Sequence, residues 1–108
     1  MFVKEFNKLS NEINKNAINH GWWEGERNEG ELIALMHSEL SEALEALRYG
    51  NLPDNHIPEF NGVEAEFADV IIRIMDVAAA KGYRVAEAII AKHKYNLTRP
   101  FKHGNKIF

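Results

Sequence analysis

The sequence contains no cysteine and no long apolar run. Without cysteine, disulfide bonds and thiolate metal sites are excluded, and this composition is typical of a cytoplasmic protein. No apolar run approaches the roughly 18 residues of a membrane-spanning helix, so we expect no membrane partner. Segment 1–16 also lacks the apolar centre that a signal peptide needs.

An excess of positive charge is lacking as well, since 13 Lys and Arg stand against 16 Asp and Glu and the formal net charge is -3. No overall positive field is therefore available to attract nucleic acid. An anionic ligand has to be held by a few local cations or by a bound metal ion. Apolar residues at 45% and charged residues at 27% predict an ordinary globular chain, which we expect to form one domain over residues 1–108.

Apolar residues recur with the period of a helix, and no segment alternates convincingly like a strand. Phe2, Phe6, Leu9 and Ile13 mark one face of a first helix. Pro100 disfavours helical geometry at the residue before it and so ends the last helix. The predicted helices cover residues about 2–19, 30–48, 63–81 and 83–98. We therefore expect an all-α protein with a four-helix, bundle-like core.

Carboxylates interrupt the apolar surfaces of the second and third helices. On a helical wheel Glu39 falls inside the apolar face of the second helix and Glu42 lies at its edge. The third helix is apolar nearly all round, so we expect it to be central, with Glu66 and Asp69 on its single polar stripe. Ionised carboxylates in such places are costly unless they are paired or bound to metal. Because Mg²⁺ and Mn²⁺ prefer oxygen ligands, the four carboxylates predict a divalent metal site.

A solvated polar stripe is the alternative explanation, because paired carboxylates at helical spacing are common on exposed helices. In that case Arg73 neutralises Asp69 or Asp76, which lie one turn away on the same helix. Asp76 is also a candidate for an additional metal ligand. Pairing with Arg73 is the interpretation that we prefer for Asp76.

The fourth helix and the loop after the first helix carry candidates for substrate binding. Lys92, Asn96 and Arg99 are spaced i, i+4, i+7, so they share a face and can hold phosphate oxygens. A solvated basic turn that complements the helix dipole is the alternative. Trp22 and Trp23 either stack on a nucleobase or pack against the bundle or a subunit interface.

The order of these motifs resembles the MazG-like superfamily of all-α nucleoside triphosphate pyrophosphohydrolases. That family is marked by ExxE on one helix and ExxD on a later one, here ELSE at 39–42 and EFAD at 66–69. The segments GWW, LIALMHSELSEALEALR and KHKYNLTRPFKHG extend the resemblance over nearly the whole chain.

The resemblance implies Mg²⁺-dependent hydrolysis of a (deoxy)nucleoside triphosphate to the monophosphate and pyrophosphate, as house-cleaning of the nucleotide pool. It implies homodimers or homotetramers whose subunits complete each other's sites. By the same resemblance the metal ligands are Glu39, Glu42, Glu66 and Asp69, with Lys92, Asn96 and Arg99 on the phosphates.

One departure from the family leaves the catalytic base open. Many members have a glutamate at the position of Ser38, where it has been viewed as the base for the attacking water. We expect a metal-bound water instead, with Glu39 or Glu42 as the catalytic group that takes its proton. Two alternatives stay open: dUTP, dUDP or phosphoribosyl-ATP as substrate, and a non-catalytic helical module that binds metal or a partner.

Overall fold

The computed structural model describes residues 1–100 and confirms the all-α class. Its four helices are α1 (Phe2–Asn19), α2 (Glu29–Arg48), α3 (Gly62–Lys81) and α4 (Val85–Leu97), each within two residues of its predicted bounds. No strand occurs within residues 1–100. None of the helices in this described part is long and apolar enough to cross a bilayer. Residues 101–108, which include the end of the segment KHKYNLTRPFKHG, lie outside the described residues.

Local hydrogen bonds set both ends of α3. The Asn61 side chain accepts from the backbone N–H of Glu64 at 2.9 Å, and the Glu64 carboxylate accepts from that of Asn61 at 3.0 Å, which forms a capping box. At the other end Gly82 adopts a left-handed φ of 71°, which glycine adopts without steric cost. The Tyr83 N–H then donates to the Ala78 carbonyl. Residues 83 and 84 therefore belong to the turn after α3, and α4 begins at Val85, two residues later than predicted.

The central helix α3 packs between α1 and α2, and α4 packs against α1. Small residues allow α2 and α3 to approach closely, because Ala43 and Ala65 are both buried. The approach is tightest where α3 begins, since a Cβ placed on Gly62 would lie 2.8 Å from the Cβ of Ala46. The hydroxyl of buried Ser10 ties α1 to α3 by donating to the Met75 carbonyl.

The third helix is central, as expected, but in a single chain it is not covered on every side. Phe67 and Ile71 of α3 are 51% and 53% exposed, and Leu40 and Leu44 of α2 are 46% and 50% exposed. The reason is that α1 and α2 cover two sides of α3, while α4 lies against α1. The radius of gyration of 16.3 Å also exceeds the value of about 13 Å typical of a compact domain of about 100 residues. An apolar face formed by α2 and α3 is therefore left open.

Candidate metal centre

Three of the four predicted metal ligands meet between α2 and α3. Glu39 and Glu42 lie one turn apart on α2, and Glu66 faces them from α3. Each offers a carboxylate oxygen, and these three oxygens all lie within 4.8 Å of one another. Glu39 is buried, Glu66 is partly buried and Glu42 is exposed. This carboxylate trio therefore opens to solvent on the Glu42 side.

The fourth predicted ligand, Asp69, lies beside the trio. It follows Glu66 by one turn on α3 and lines a cavity together with Glu39 and Arg73. Its side chain is at the surface, yet neighbouring protein atoms still remove part of its hydration. That desolvation, followed by the negative charge of Glu39, raises the pKa of Asp69. Asp69 is not among the carboxylates whose oxygens lie within 4.8 Å of one another, so the structure brings it to the cavity rather than into the trio.

Glu66 carries the clearest sign of an incomplete site. Its Oε2 atom is buried and has no hydrogen-bond partner within the described residues. Desolvation, followed by hydrogen bonds and charge from Glu39 and Glu42, raises the pKa of Glu66 to about 8. The crowding of the three carboxylates therefore favours retention of a proton at Glu66 near neutral pH. A buried carboxylate oxygen without a partner is unfavourable and is stabilised by a bound cation.

The pKa of Glu39 shifts in the opposite direction to that of Glu66, because Glu39 has a cationic partner. The Arg73 guanidinium donates to Glu39 Oε1 from Nη2 at 2.8 Å and from Nε at 3.0 Å. Desolvation raises the pKa of Glu39, but the hydrogen bond and charge of Arg73, aided by a hydrogen bond with Glu66, outweigh it and leave the pKa lowered. Glu39 is accordingly ionised over the neutral pH range.

The donor set fits a hard divalent cation. All three oxygens of the trio come from carboxylates, and no thiolate is available because the chain contains no cysteine. Because these three oxygens all lie within 4.8 Å of one another, one ion can contact all three with only small side-chain movements. The exposed position of Glu42 leaves room on one side for water or an anionic ligand.

A cavity of about 330 Å³ adjoins the carboxylates. It lies between α1, the loop after α1, and α3, and its size is in the usual range for small-molecule sites. Glu39, Asp69 and Arg73 line one side, while Ile13, Trp22 and Arg27 contribute apolar, aromatic and cationic surface elsewhere. The cavity therefore combines a carboxylate wall with groups that suit a planar, anionic ligand.

The two tryptophans take different positions. Trp23 donates its Nε1–H to both carboxylate oxygens of Asp76 at 3.0 Å, and the Asn14 amide donates to Asp76 Oδ1 at 2.8 Å. The Arg27 guanidinium lies 5.0 Å from the centre of the Trp23 ring. Trp22, by contrast, is 57% exposed and lines the cavity. Contacts within the protein thus account for the position of Trp23. Trp22 is the tryptophan that remains available to stack on a ligand in the cavity.

This network corrects the prediction that Asp76 pairs with Arg73. Asp76 binds Trp23 and Asn14, while Arg73 binds Glu39 on the neighbouring helix. Sequence reasoning missed Asn14 and Arg27 altogether. For Arg27 a signal was present, because a cation in a short loop just after two tryptophans is a common cation–π pattern. For Asn14 no comparable signal exists, since its partner lies on another helix.

The predicted phosphate-binding residues of α4 are not brought to the trio within one chain. Lys92, Asn96 and Arg99 are exposed, and the cavity beside the carboxylates is lined by other residues within 1–100. Lys92 Nζ instead lies 5.5 Å from the centre of the Tyr95 ring. The position of α4 against α1 separates these cations from the carboxylates.

No protein-family model, curated protein or solved structure matches this chain. Function therefore has to be inferred from the chemistry of the trio and the adjoining cavity.

The raised pKa of Glu66 predicts how the stability of the metal-free protein changes with pH. At pH 5.5 the folded state holds a proton on Glu66, whose pKa is about 8, that the unfolded chain, with the ordinary pKa of 4.5, has largely released; at pH 8.5 both states have lost most of it. The folded state therefore loses stability as the pH rises from the unfolded pKa of 4.5 toward the folded pKa of about 8, and the loss levels off above that value. The lowered pKa of Glu39 acts only below this range. We expect Tm in EDTA to fall by about 5–10 °C, or roughly 1–2 kcal/mol after allowance for solvent screening.

Differential scanning calorimetry of the parent and of Glu66→Gln at both pH values measures this change. The glutamine variant cannot release the proton, so its Tm should vary much less over the same range. Excess Mg²⁺ should also suppress the fall, because a bound cation stabilises the ionised carboxylate. A parent protein that is equally stable or more stable at pH 8.5 in EDTA would contradict the assignment of the proton.

Proposed function

We propose that the chain is a Mg²⁺-dependent nucleoside triphosphate pyrophosphohydrolase of the MazG-like superfamily. One observation carries the proposal: the carboxylate trio includes the buried unpartnered oxygen of Glu66, and its member Glu39 also lines a cavity of about 330 Å³ to which the exposed Trp22 contributes. Carboxylates and a hard cation suit a polyphosphate, and Trp22 supplies a flat surface for a base. House-cleaning of damaged or unwanted nucleotides is the role that we infer from this activity.

The residues of the trio and Asp69 would hold the ion. Glu39, Glu42, Glu66 and Asp69 supply only oxygen ligands, for which Mg²⁺ is the expected ion and Mn²⁺ the usual substitute. When bound, the ion supplies Lewis acidity to the phosphate oxygens and makes a coordinated water more acidic.

Glu42 is the better of the two candidates for the catalytic base. Glu39 is buried and hydrogen-bonded to Arg73, whereas Glu42 is exposed to solvent. One oxygen of Glu42 nevertheless lies within 4.8 Å of the oxygens of Glu39 and Glu66. Ser38 is unsuitable, since its hydroxyl is exposed and donates to the Leu35 carbonyl at 2.7 Å. In the proposed step the water oxygen bonds to the α-phosphorus and its proton passes to Glu42. The bond from the α-phosphorus to the bridging oxygen breaks, and pyrophosphate leaves.

A second copy of the chain is the proposed source of the remaining contacts. The open apolar face of α2 and α3, with Leu40, Leu44, Phe67 and Ile71 about half exposed, is large for a monomer of this size. Covering it in a homodimer or homotetramer would bury these side chains. It would also allow Lys92, Asn96 and Arg99 of one copy to approach the carboxylates of the other.

The ion pair between Arg73 and Glu39 favours a second candidate function. A carboxylate that is already neutralised by an arginine is also what a non-catalytic, metal-binding or interaction module would have. In that case the ion, if bound, serves only the fold. The arrangement of the carboxylates does not discriminate among substrates, so dUTP, dUDP and phosphoribosyl-ATP stay as alternatives.

A panel of canonical dNTPs and NTPs, together with dUTP, dUDP and phosphoribosyl-ATP, tests the proposal. We expect equal amounts of monophosphate and pyrophosphate from triphosphates in Mg²⁺, with products separated by ion-exchange chromatography, and no turnover in EDTA. The diphosphate with orthophosphate would place the attack at the γ-phosphorus and refute the mechanism. No turnover of any nucleotide with Mg²⁺ or Mn²⁺, by protein that binds Mn²⁺ tightly, would favour the non-catalytic module.

A further inference from the structure

Arg73 engages one oxygen of a carboxylate that a metal ion at the trio would need. Both of its contacts go to the same oxygen, Glu39 Oε1, from Nη2 at 2.8 Å and from Nε at 3.0 Å. Glu39 is the most buried carboxylate of the trio, with 8% of its surface exposed. Two donors on one oxygen leave little room for a cation there, and the positive charge of the guanidinium opposes a second one nearby.

The other carboxylates near Arg73 on its own helix are already committed. Asp76, three residues on, accepts hydrogen bonds from Trp23 at both oxygens and from Asn14. Asp69, four residues back, adjoins the trio and belongs to the proposed ligand set. A guanidinium that leaves Glu39 when metal binds therefore finds no uncommitted carboxylate on α3 at the neighbouring turns. Its next acceptor has to come with the ligand.

The position of Arg73 allows such a movement. Its side chain is 33% exposed, and it lines the cavity of about 330 Å³ beside Asp69 and Trp22. An arginine is well suited to hold phosphate oxygens, because its planar group presents two parallel N–H donors. Within the single chain it lies next to the carboxylates, unlike Lys92 and Asn96 on α4 and Arg99 just after that helix.

We propose that Arg73 is an internal counter-cation that holds the Glu39 carboxylate through Oε1 in the metal-free protein and moves to the phosphate chain of the nucleotide when the divalent ion binds that carboxylate. This inference rests on the proposed function for the identity of the anion, but its first half concerns metal binding alone. In this arrangement the protein balances its carboxylates without metal, and the same charge contributes to substrate binding once metal is present.

Binding of Mn²⁺ without nucleotide, followed by electron paramagnetic resonance, tests the first half. We expect Arg73→Met to bind Mn²⁺ about 5–10-fold more tightly than the parent, because the competing cation is gone. Arg73→Lys, which keeps the charge but not the two-donor contact, should show a smaller gain of about 2-fold. Arg48→Met, at an exposed arginine of α2, is the matched control and should leave the affinity unchanged.

Binding of an α,β-methylene dNTP in saturating Mn²⁺ tests the second half by calorimetry. We expect Arg73→Met to weaken this binding about 10-fold or more, with Arg73→Lys in between. A purely structural arginine would lower Tm without tightening Mn²⁺ binding, and that result would overturn the proposal. If Arg73→Met does not fold, the same two measurements on Arg73→Lys decide the matter.

The remaining outcomes separate this inference from the proposed function. Tighter Mn²⁺ binding with unchanged nucleotide affinity would overturn the movement to phosphate and leave the counter-cation role supported. Tighter Mn²⁺ binding in a protein that hydrolyses no nucleotide would support the counter-cation role and refute the pyrophosphohydrolase. Unchanged or weaker Mn²⁺ binding in both variants would refute the counter-cation role even if the enzyme hydrolyses dNTPs.

Discussion

Replacement of Glu66 by glutamine is expected to lower kcat for dNTP hydrolysis by about 10²–10⁴-fold while the metal-free protein folds normally. An amide keeps the shape of the protonated carboxyl group that Glu66 presents near neutral pH, so packing between α2 and α3 is retained. It cannot supply the negative charge that a divalent cation requires. Steady-state kinetics in Mg²⁺ and Mn²⁺ binding by paramagnetic resonance should show the two losses together.

Two comparison variants make this result specific. Glu45→Gln, at an exposed position on α2 that pairs only loosely with Arg48 at 3.9 Å, should leave turnover and metal affinity close to those of the parent. Glu39→Gln should also abolish turnover, but it should destabilise the metal-free protein, because it removes the partner of Arg73. Turnover by Glu66→Gln at a rate near that of the parent would show that the trio is not the catalytic metal site.

Replacement of Gly62 by alanine is expected to reduce the free energy of unfolding by about 1–3 kcal/mol. The new Cβ would lie 2.8 Å from the Cβ of Ala46, and both atoms are fixed to helical backbone, so α2 and α3 have to separate. Gly62 precedes Glu66 by one turn, and Ala46 follows Glu42 by one turn. The same separation should therefore weaken Mn²⁺ binding. Urea denaturation and paramagnetic resonance measure the two effects.

A double-mutant cycle supplies the control for this prediction. Ala46→Gly alone should cost about 0.5–1 kcal/mol, since glycine is unfavourable inside a helix. In the double variant the crowding is removed, so we expect it to be more stable than the sum of the single effects and to regain metal affinity. Helix propensity alone would make Gly62→Ala stabilising. A stabilised single variant would therefore show that close approach of the helices is not limiting at this point.

The helices and the facing of the acidic pairs were predictable because they depend on short-range pattern. Apolar residues at helical spacing placed all four helices, and Asn61 with Glu64 and Gly82 fix the ends of α3 through local hydrogen bonds. The spacing of Glu39 and Glu42 places both on one face of α2 whatever surrounds it. Their meeting with Glu66 followed from the cost of leaving such carboxylates in an apolar surface without a partner.

The partners of the remaining charged residues could not be predicted, because they depend on which helices become neighbours. Arg73 has Asp69 and Asp76 within one turn on its own helix, and local spacing favoured one of them. In the structure Arg73 instead binds Glu39 of α2, since the close packing of α2 and α3 brings this carboxylate to the guanidinium. Asp76 instead accepts a hydrogen bond from Trp23, which lies in the loop that follows α1.

The sequence by itself determined the all-α class and the approximate helix bounds, and it indicated a set of carboxylates that offers oxygen ligands to a cation, because helical periodicity and the cost of burying charge act over a few residues. Only the tertiary structure decided that Arg73 neutralises Glu39, that Trp22 rather than Trp23 lines the cavity, and that the cations of α4 lie away from the trio in one chain. These features depend on the order in which α1, α2 and α4 pack around α3. That order depends on contacts between residues far apart in the chain, which local sequence pattern does not encode.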